Sequence, residues 1–342
     1  MKLIDNELYK NDIERAISNM DLAMLDNKSI IITGGLGLIG SAIADMLIVY
    51  GKLNRIIVAA RNIDAFIKRY GEIKSVEFCE YDALNNVKFP IVPDYIIHGA
   101  GLASPSLYIE APVETLLTNI NGVKNLLQYS RSSSVKRLLY ISSSEVYGKK
   151  DTDEAFVENV YGLINMDDMR SSYPVAKCAS EMICKSFTRE YAVDTVIVRP
   201  GHIYGPSASK NDKRISSEFP YKAAYGEPLI MKSSGLQKRS YCYSIDCAAQ
   251  ILIALTCGVE GETYNIGHDE TTSIVEMAKI CARAGMVNLH IVEPTREEKA
   301  TFNPMNNSEL NNEKIKALGY RDSFSVCEGL THTVEIIKEC GL

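Results

Sequence analysis

The run Ser29-Ile30-Ile31-Ile32-Thr33 ends in Gly34-Gly35-Leu36-Gly37-Leu38-Ile39-Gly40, and an apolar-periodic stretch from Ile39 to Val49 follows at once. No other feature of the chain restricts its fold as strongly. The pattern predicts a buried strand, a tight glycine turn and a helix, the opening of a βαβ unit. Gly34 permits a sharp exit from the strand, Gly37 lets backbone approach a pyrophosphate, and Gly40 lets the helix pack on the sheet. The amides of Leu38 and Ile39 at the helix start then face the phosphates, which points to a bound dinucleotide.

Strand and helix alternate downstream. Arg55–Ala59, Ser75–Cys79, Asp94–Ala100, Lys136–Ser142 and Asp194–Arg199 read as strands. Pro112–Arg131 and Ser171–Tyr191 read as long helices. Such alternation predicts an α/β chain built on a Rossmann-type doubly wound parallel sheet. After Arg199-Pro200 the alternation weakens, and Gly, Pro, Ser and Lys accumulate from Gly201 to Arg214. Helical signals return at 245–257, 274–284 and 311–318, with a short strand at 263–266. The expected organisation is a helical extension over 1–27 and a dinucleotide domain over 28–200 plus about 241–268. A smaller C-terminal α/β substrate-binding lobe takes 201–240 and 269–342.

At 342 residues the chain exceeds the usual single core, which agrees with two lobes. A net charge of −6 argues against a nucleic-acid surface. The nine cysteines show no Cys-x-x-Cys spacing, so reduced thiols are expected rather than a disulfide frame or a metal site. There is no apolar run of membrane-spanning length and no signal-like start, so a cytoplasmic location is expected.

The carboxyl ends of strands face the ligand crevice in such sheets. Arg61 follows the second strand where an NAD site usually carries Asp or Glu, and it offers a partner for a 2′-phosphate or a face for adenine, leaving NAD and NADP both open. Asp82, beyond the third strand, is a candidate for the adenine amino group. Ala100 keeps the fourth strand's exit small, and Arg199 at the end of the sixth is a further cofactor candidate. His98 reads as a satisfied core histidine. Ser143 leaves the fifth strand at the crevice edge, and Tyr173-x-x-x-Lys177 places a phenol and an ammonium on one helical face. An ammonium beside a phenol favours the phenolate, so Tyr173 is expected as base, Lys177 as its tuner and Ser143 as the hydroxyl clamp. Pro174 should start this helix near Tyr173, with Ser171 or Ser172 capping.

On these residues the chain resembles the extended short-chain dehydrogenase/reductases, the NAD-dependent epimerase/dehydratase group acting on nucleotide-sugars. It is most similar there to UDP-glucuronate decarboxylases. The resemblance also rests on His98–Pro105, Thr118-Asn119, Ser143–Gly148, Arg199–Pro206, Gly226–Leu229 and Gly235–Tyr243 with Asp246. It implies oxidation of the sugar C4 hydroxyl by a tightly held nicotinamide cofactor, followed by return of the hydride. Ser143, Tyr173 and Lys177 match the catalytic triad, and Glu145 matches the acid that decarboxylases and 4,6-dehydratases use near C5 and C6. Arg239 matches a diphosphate-binding arginine, while Ser104, Ser144 and His202 fall at substrate positions.

The resemblance further implies a nucleotide-diphosphate sugar as ligand and a homodimer formed through 112–131 and 171–191. Decarboxylation or C4 epimerisation leads. The alternatives are an NADPH-dependent 4-keto-sugar reductase, a 4,6-dehydratase and a non-catalytic dinucleotide-binding scaffold. Ser144 replaces the aspartate of thymidine-linked dehydratases, His202 replaces the usual asparagine, and Thr301–Asn307 departs from the usual Arg-x-x-Asp.

Overall fold

The computed structural model describes residues 1–152, 154–295 and 307–342. Strands β1 (Ser29–Thr33), β2 (Arg55–Ala60), β3 (Val76–Glu80), β4 (Tyr95–His98), β5 (Arg137–Ile141), β6 (Thr195–Pro200) and β10 (Thr263–Ile266) form one seven-stranded sheet. Its order is β10-β6-β5-β4-β1-β2-β3 and every pairing is parallel. Chain order reverses between β1 and β4, so the crevice at their carboxyl ends is the ligand position of a doubly wound sheet.

Period-two alternation splits β1 between two cores. Ile30 and Ile32 join Ala42, Met46 and Leu47 of α2 (Leu38–Tyr50) and Ile251 of α8 (Ser244–Cys257) on one face. Ile31 joins Val123, Leu126 and Leu127 of α5 (Pro112–Arg131) and Cys184 of α6 (Ser172–Tyr191) on the other. Both faces are covered, which is why the strands between the two edges, β3 and β10, read as apolar runs. Between the strands lie α3 (Ile63–Tyr70) and the short α4 (Pro105–Glu110).

The remaining elements build a smaller α/β lobe. A second sheet pairs β11 (Thr271–Ser273), β9 (Lys238–Tyr243) and β13 (Asn307–Ser308), with β7 (His202–Tyr204) also on β9. A two-stranded sheet pairs β8 (Leu229–Met231) with β12 (Leu289–Ile291). Among the described residues its helices are α7 (Ile215–Ala224), α9 (Ile274–Gly285) and α11 (Val326–Cys340), while the short α10 (Glu313–Lys316) lies beside β10, its Lys314 donating to Thr263 O at 2.7 Å.

The extension forms α1 (Glu7–Ser18), with a 3₁₀ turn on each side. It is tied to both lobes by polar side chains rather than by apolar contact alone. Tyr9 donates to Asp45 of α2 at 2.9 Å, and Asp45 also pairs with Arg69 of α3. Asp12 accepts from Tyr243 at 2.9 Å and meets His332 Nδ1 at 3.0 Å. All nine cysteines carry free thiols. Among the described residues no helix is long and apolar enough to cross a membrane, and no group of three His, Cys, Asp or Glu side chains is placed to hold a metal.

Candidate active site

A cleft of about 520 Å³ runs from the glycine turn across the carboxyl ends of β1, β2, β4 and β5. Gly34, Gly37, Leu38, Ile39 and Gly40 line one wall, and Arg61, Asp82 and Ala100 line the adjoining part. Ser143, Tyr173 and Lys177 line the other end. Gly34 is required by conformation and contact, and Gly40 by contact. A Cβ on Gly34, whose φ is +71°, would sit 2.7 Å from the Gly99 carbonyl carbon, and one on Gly40 would sit 2.4 Å from Gly34 O. The walls therefore stay bare where a pyrophosphate needs backbone amides, and the donor set fits a nicotinamide dinucleotide.

Tyr173 and Lys177 stand one turn apart near the start of α6 and are 6% and 5% exposed. The helix begins at Ser172, but neither serine caps it. The Ser171 hydroxyl donates to Asn165 O, and the Ser172 hydroxyl to Tyr108 O of α4 at 3.0 Å. This second bond fastens α4 to the root of α6. Tyr108 then stacks flat on Tyr173, with ring centroids 4.4 Å apart and planes 7° from parallel.

The electrostatics correct one expectation. Burial, followed by the carboxylate of Glu145, pushes the Tyr173 phenol up to about 12, while Ser143, Arg214 and Tyr108 pull it down. Lys177 is not what sets the phenol here. Its ammonium donates to Ile141 O at 2.8 Å and lies 5.7 Å from the Tyr173 ring centre. Burial lowers Lys177 to about 8, against the pull of Glu181.

Glu145 lies in a short 3₁₀ turn (Ser144–Tyr147) whose start is capped by the Ser143 hydroxyl. Arg170 grips it in two parallel bonds of 2.8 and 3.0 Å, and neither residue belongs to the cleft lining. Ser144 and Ser104 also lie outside that lining, Ser144 half-buried and Ser104 exposed at the start of α4. His202 on β7 packs edge-on against Tyr241, and its Nδ1 has no hydrogen-bond partner among the described residues. Burial, with Arg239 and Arg214 nearby, lowers His202 to about 3 and keeps it neutral. Arg239 is buried on β9 and donates to Lys238 O at 2.8 Å.

Arg199 is a correction. Its place at a strand end suggests a cofactor contact, but its side chain is fully buried and faces the core side of α6 rather than the cleft. It forms two bonds of 2.9 and 2.6 Å to Glu181, and donates further to Glu158 O and the Tyr161 hydroxyl. His98 is buried with Nδ1 on Thr33 Oγ1 at 2.7 Å, whereas Nε2 has no partner among the described residues, so it is only half satisfied. Residues 301–306 of the Thr301–Asn307 stretch lie outside the described residues.

Sequence reasoning missed Tyr108, Arg170 and Arg214. Arg214 lines the cleft and is held by Asp212 through bonds from Nε of 2.9 and 3.0 Å. Arg170 and Tyr108 each precede a helix or sit in a six-residue one, where periodicity carries no signal. Only the Arg-Ser-Ser-Tyr adjacency at 170–173 hinted at the first.

The chain is similar in sequence and in fold to several known proteins. UDP-glucuronic acid decarboxylase 6 of Arabidopsis thaliana is 30% identical over 309 residues, 89% of this chain and 87% of that protein. UDP-glucuronic acid decarboxylase 1 of Xenopus tropicalis is 30% identical over 264 residues, 76% of this chain but only 61% of the relative's length. The UDP-glucose 4-epimerase of Thermus thermophilus, solved with NAD, superimposes with a TM-score of 0.78 at 25% identity, covering 91% of this chain and 99% of that one. Residues 30–267, more than half of the chain, match the NAD dependent epimerase/dehydratase family, and the protein belongs to that family.

Proposed function

We propose that the protein oxidises the C4 hydroxyl of a nucleotide-diphosphate sugar and then decarboxylates a C6 carboxylate or epimerises C4. The observation that carries this reading is the convergence of Ser143, Tyr173 and Lys177 on a cleft that begins at the glycine turn. Gly34, Gly37, Leu38, Ile39 and Gly40 would hold a nicotinamide dinucleotide, which would supply the hydride acceptor and donor.

The chain's own residues handle the proton and the orientation. Ser143 holds the sugar hydroxyl, and the Tyr173 oxygen takes its proton. The phenol is protonated when buried alone, and Arg214, with the Ser143 and Tyr108 hydroxyls, favours its ionised form. Tyr108 fixes the plane of the Tyr173 ring. Glu145, gripped by Arg170, is the carboxylate proposed for the C5 and C6 end. Arg239 and His202 belong to the proposed diphosphate and sugar contacts, Ser104 and Ser144 to its rim, and the lobe of 201–240 and 269–342 to sugar-nucleotide binding. A ketone at C4 turns a C6 carboxylate into a β-keto acid, which loses carbon dioxide readily. The same reading includes a homodimer through α5 and α6, whose outer faces expose Leu117 and Met182, and a cytoplasmic role in polysaccharide biosynthesis.

Incubation with UDP-glucuronate, followed by product analysis, tests the proposal. Release of carbon dioxide supports the decarboxylase branch and a C4 epimer supports the other. Stoichiometric cofactor oxidation on a 4-keto sugar, with neither product, would move the assignment to a reductase.

A further inference from the structure

We propose that the adenosine end of the cleft is built for a 2′-phosphate, and that the cofactor is NADP rather than NAD; this rests on the dinucleotide reading of the cleft. β2 delivers Ala59, Ala60, Arg61 and Asn62 to the wall, and none of them is an acid. The charged residues of the lining are Arg61, Asp82, Lys177 and Arg214, and the last two stand with Tyr173 at the opposite end. Only Arg61 and Asp82 are left to meet the adenosine.

Asp82 is poorly placed to replace the missing acid. It follows β3, one strand further from β1, and one of its oxygens accepts from Leu84 N at 2.9 Å. The Asn62 side chain is likewise committed, capping α3 through Ala65 N at 2.9 Å. The nearest other acids, Asp64 on α3 and Glu80 opposite Ala60 on β3, are not part of the lining.

Arg61 differs from Arg55 and Arg69, the arginines on the flanking β2 and α3. Those two each face a carboxylate, Glu77 and Asp45. Arg61 is exposed on the cleft wall and, among the described residues, has neither an ion-pair nor a hydrogen-bond partner. A ribose diol offers a guanidinium no charge, whereas a phosphate ester there accepts two parallel bonds. A wall with a free guanidinium and no carboxylate therefore selects the phosphorylated ribose, because NAD would leave its two ribose hydroxyls without the acid that usually receives them.

Calorimetric titration of the full chain, stripped of copurifying nucleotide, with NADPH and with NADH tests this without any sugar substrate. The expected result is NADPH binding about tenfold tighter or more, since a charge-assisted pair is worth that much. Arg61→Ala should erase that margin and leave NADH binding within about twofold of the unaltered protein. Arg61 is exposed, so this variant keeps the fold. NADH binding as tightly as NADPH overturns the inference, as does equal weakening of both by Arg61→Ala, which would put the guanidinium on the adenine. Failure of either nucleotide to bind would overturn the dinucleotide reading itself, and with it the proposed function.

Discussion

Removing the Glu181 carboxylate should destabilise the protein severely, because it strands a charge in the core. Arg199 and Glu181 are 0% and 7% exposed, and burial of the guanidinium is compensated chiefly by that carboxylate. After Glu181→Ala the remaining acceptors of Arg199 are Glu158 O and the Tyr161 hydroxyl, both neutral. Breaking a buried pair from one side costs about 3–5 kcal/mol. The Ser142 hydroxyl, which donates to Glu181 at 2.6 Å, loses its acceptor as well, adding about 1 kcal/mol. For a chain of this size a loss of about 5 kcal/mol lowers Tm by about 10 °C. Urea unfolding and calorimetry of the cofactor-free protein read both quantities. Glu181→Gln should fall between, since it keeps an acceptor but not the charge. The double variant Glu181→Leu with Arg199→Leu should cost less than Glu181→Ala alone, as nothing charged is then left unpaired. A loss below about 1 kcal/mol for Glu181→Ala would refute the assignment of Arg199 to the core.

Two other perturbations test the site and the extension. Tyr108→Ala removes the ring stacked on Tyr173 and should lower turnover by about a hundredfold through misplacement of the phenol, with cofactor affinity unchanged, whereas Tyr108→Phe keeps the stack and most of the rate; equal rates for the two variants would refute the positioning role. The Asp12 bond raises His332 above its ordinary value. A group raised on folding contributes stability that is complete below its unfolded pKa of about 6.5 and is lost as pH rises through the folded value. Tm should therefore fall across that window in the native chain and not in His332→Gln, and parallel pH profiles would contradict the pairing.

Much of the fold was legible because its signals are local. The β1–glycine–α2 unit is contiguous, and β1, β2, β4, β5 and β6 announce themselves as apolar runs. Tyr173, Lys177 and Ser143 were legible for the same reason, two through helical spacing and one through its position after a strand. The errors arise where a side chain's role is set by a distant partner. Arg199 stands at a strand end like a ligand residue, but Glu181 on α6 claims it. Ser171 and Ser172 look like caps, but their hydroxyls reach Asn165 and Tyr108 instead. Arg170 and Arg214 sit in irregular segments, and their roles emerge only when Glu145 and Asp212 are seen to face them.

In the proposed reaction the Tyr173 oxygen removes a proton from a sugar alcohol at the nicotinamide end of the cleft. Single-turnover mixing with UDP-glucuronate, reading the near-ultraviolet absorbance of reduced nicotinamide in native protein and in Tyr173→Phe, tests it most directly. The account predicts a rise in the native protein and a rate lowered by about 10²–10⁴ in the variant, with cofactor affinity retained. An undiminished rise in Tyr173→Phe would contradict it.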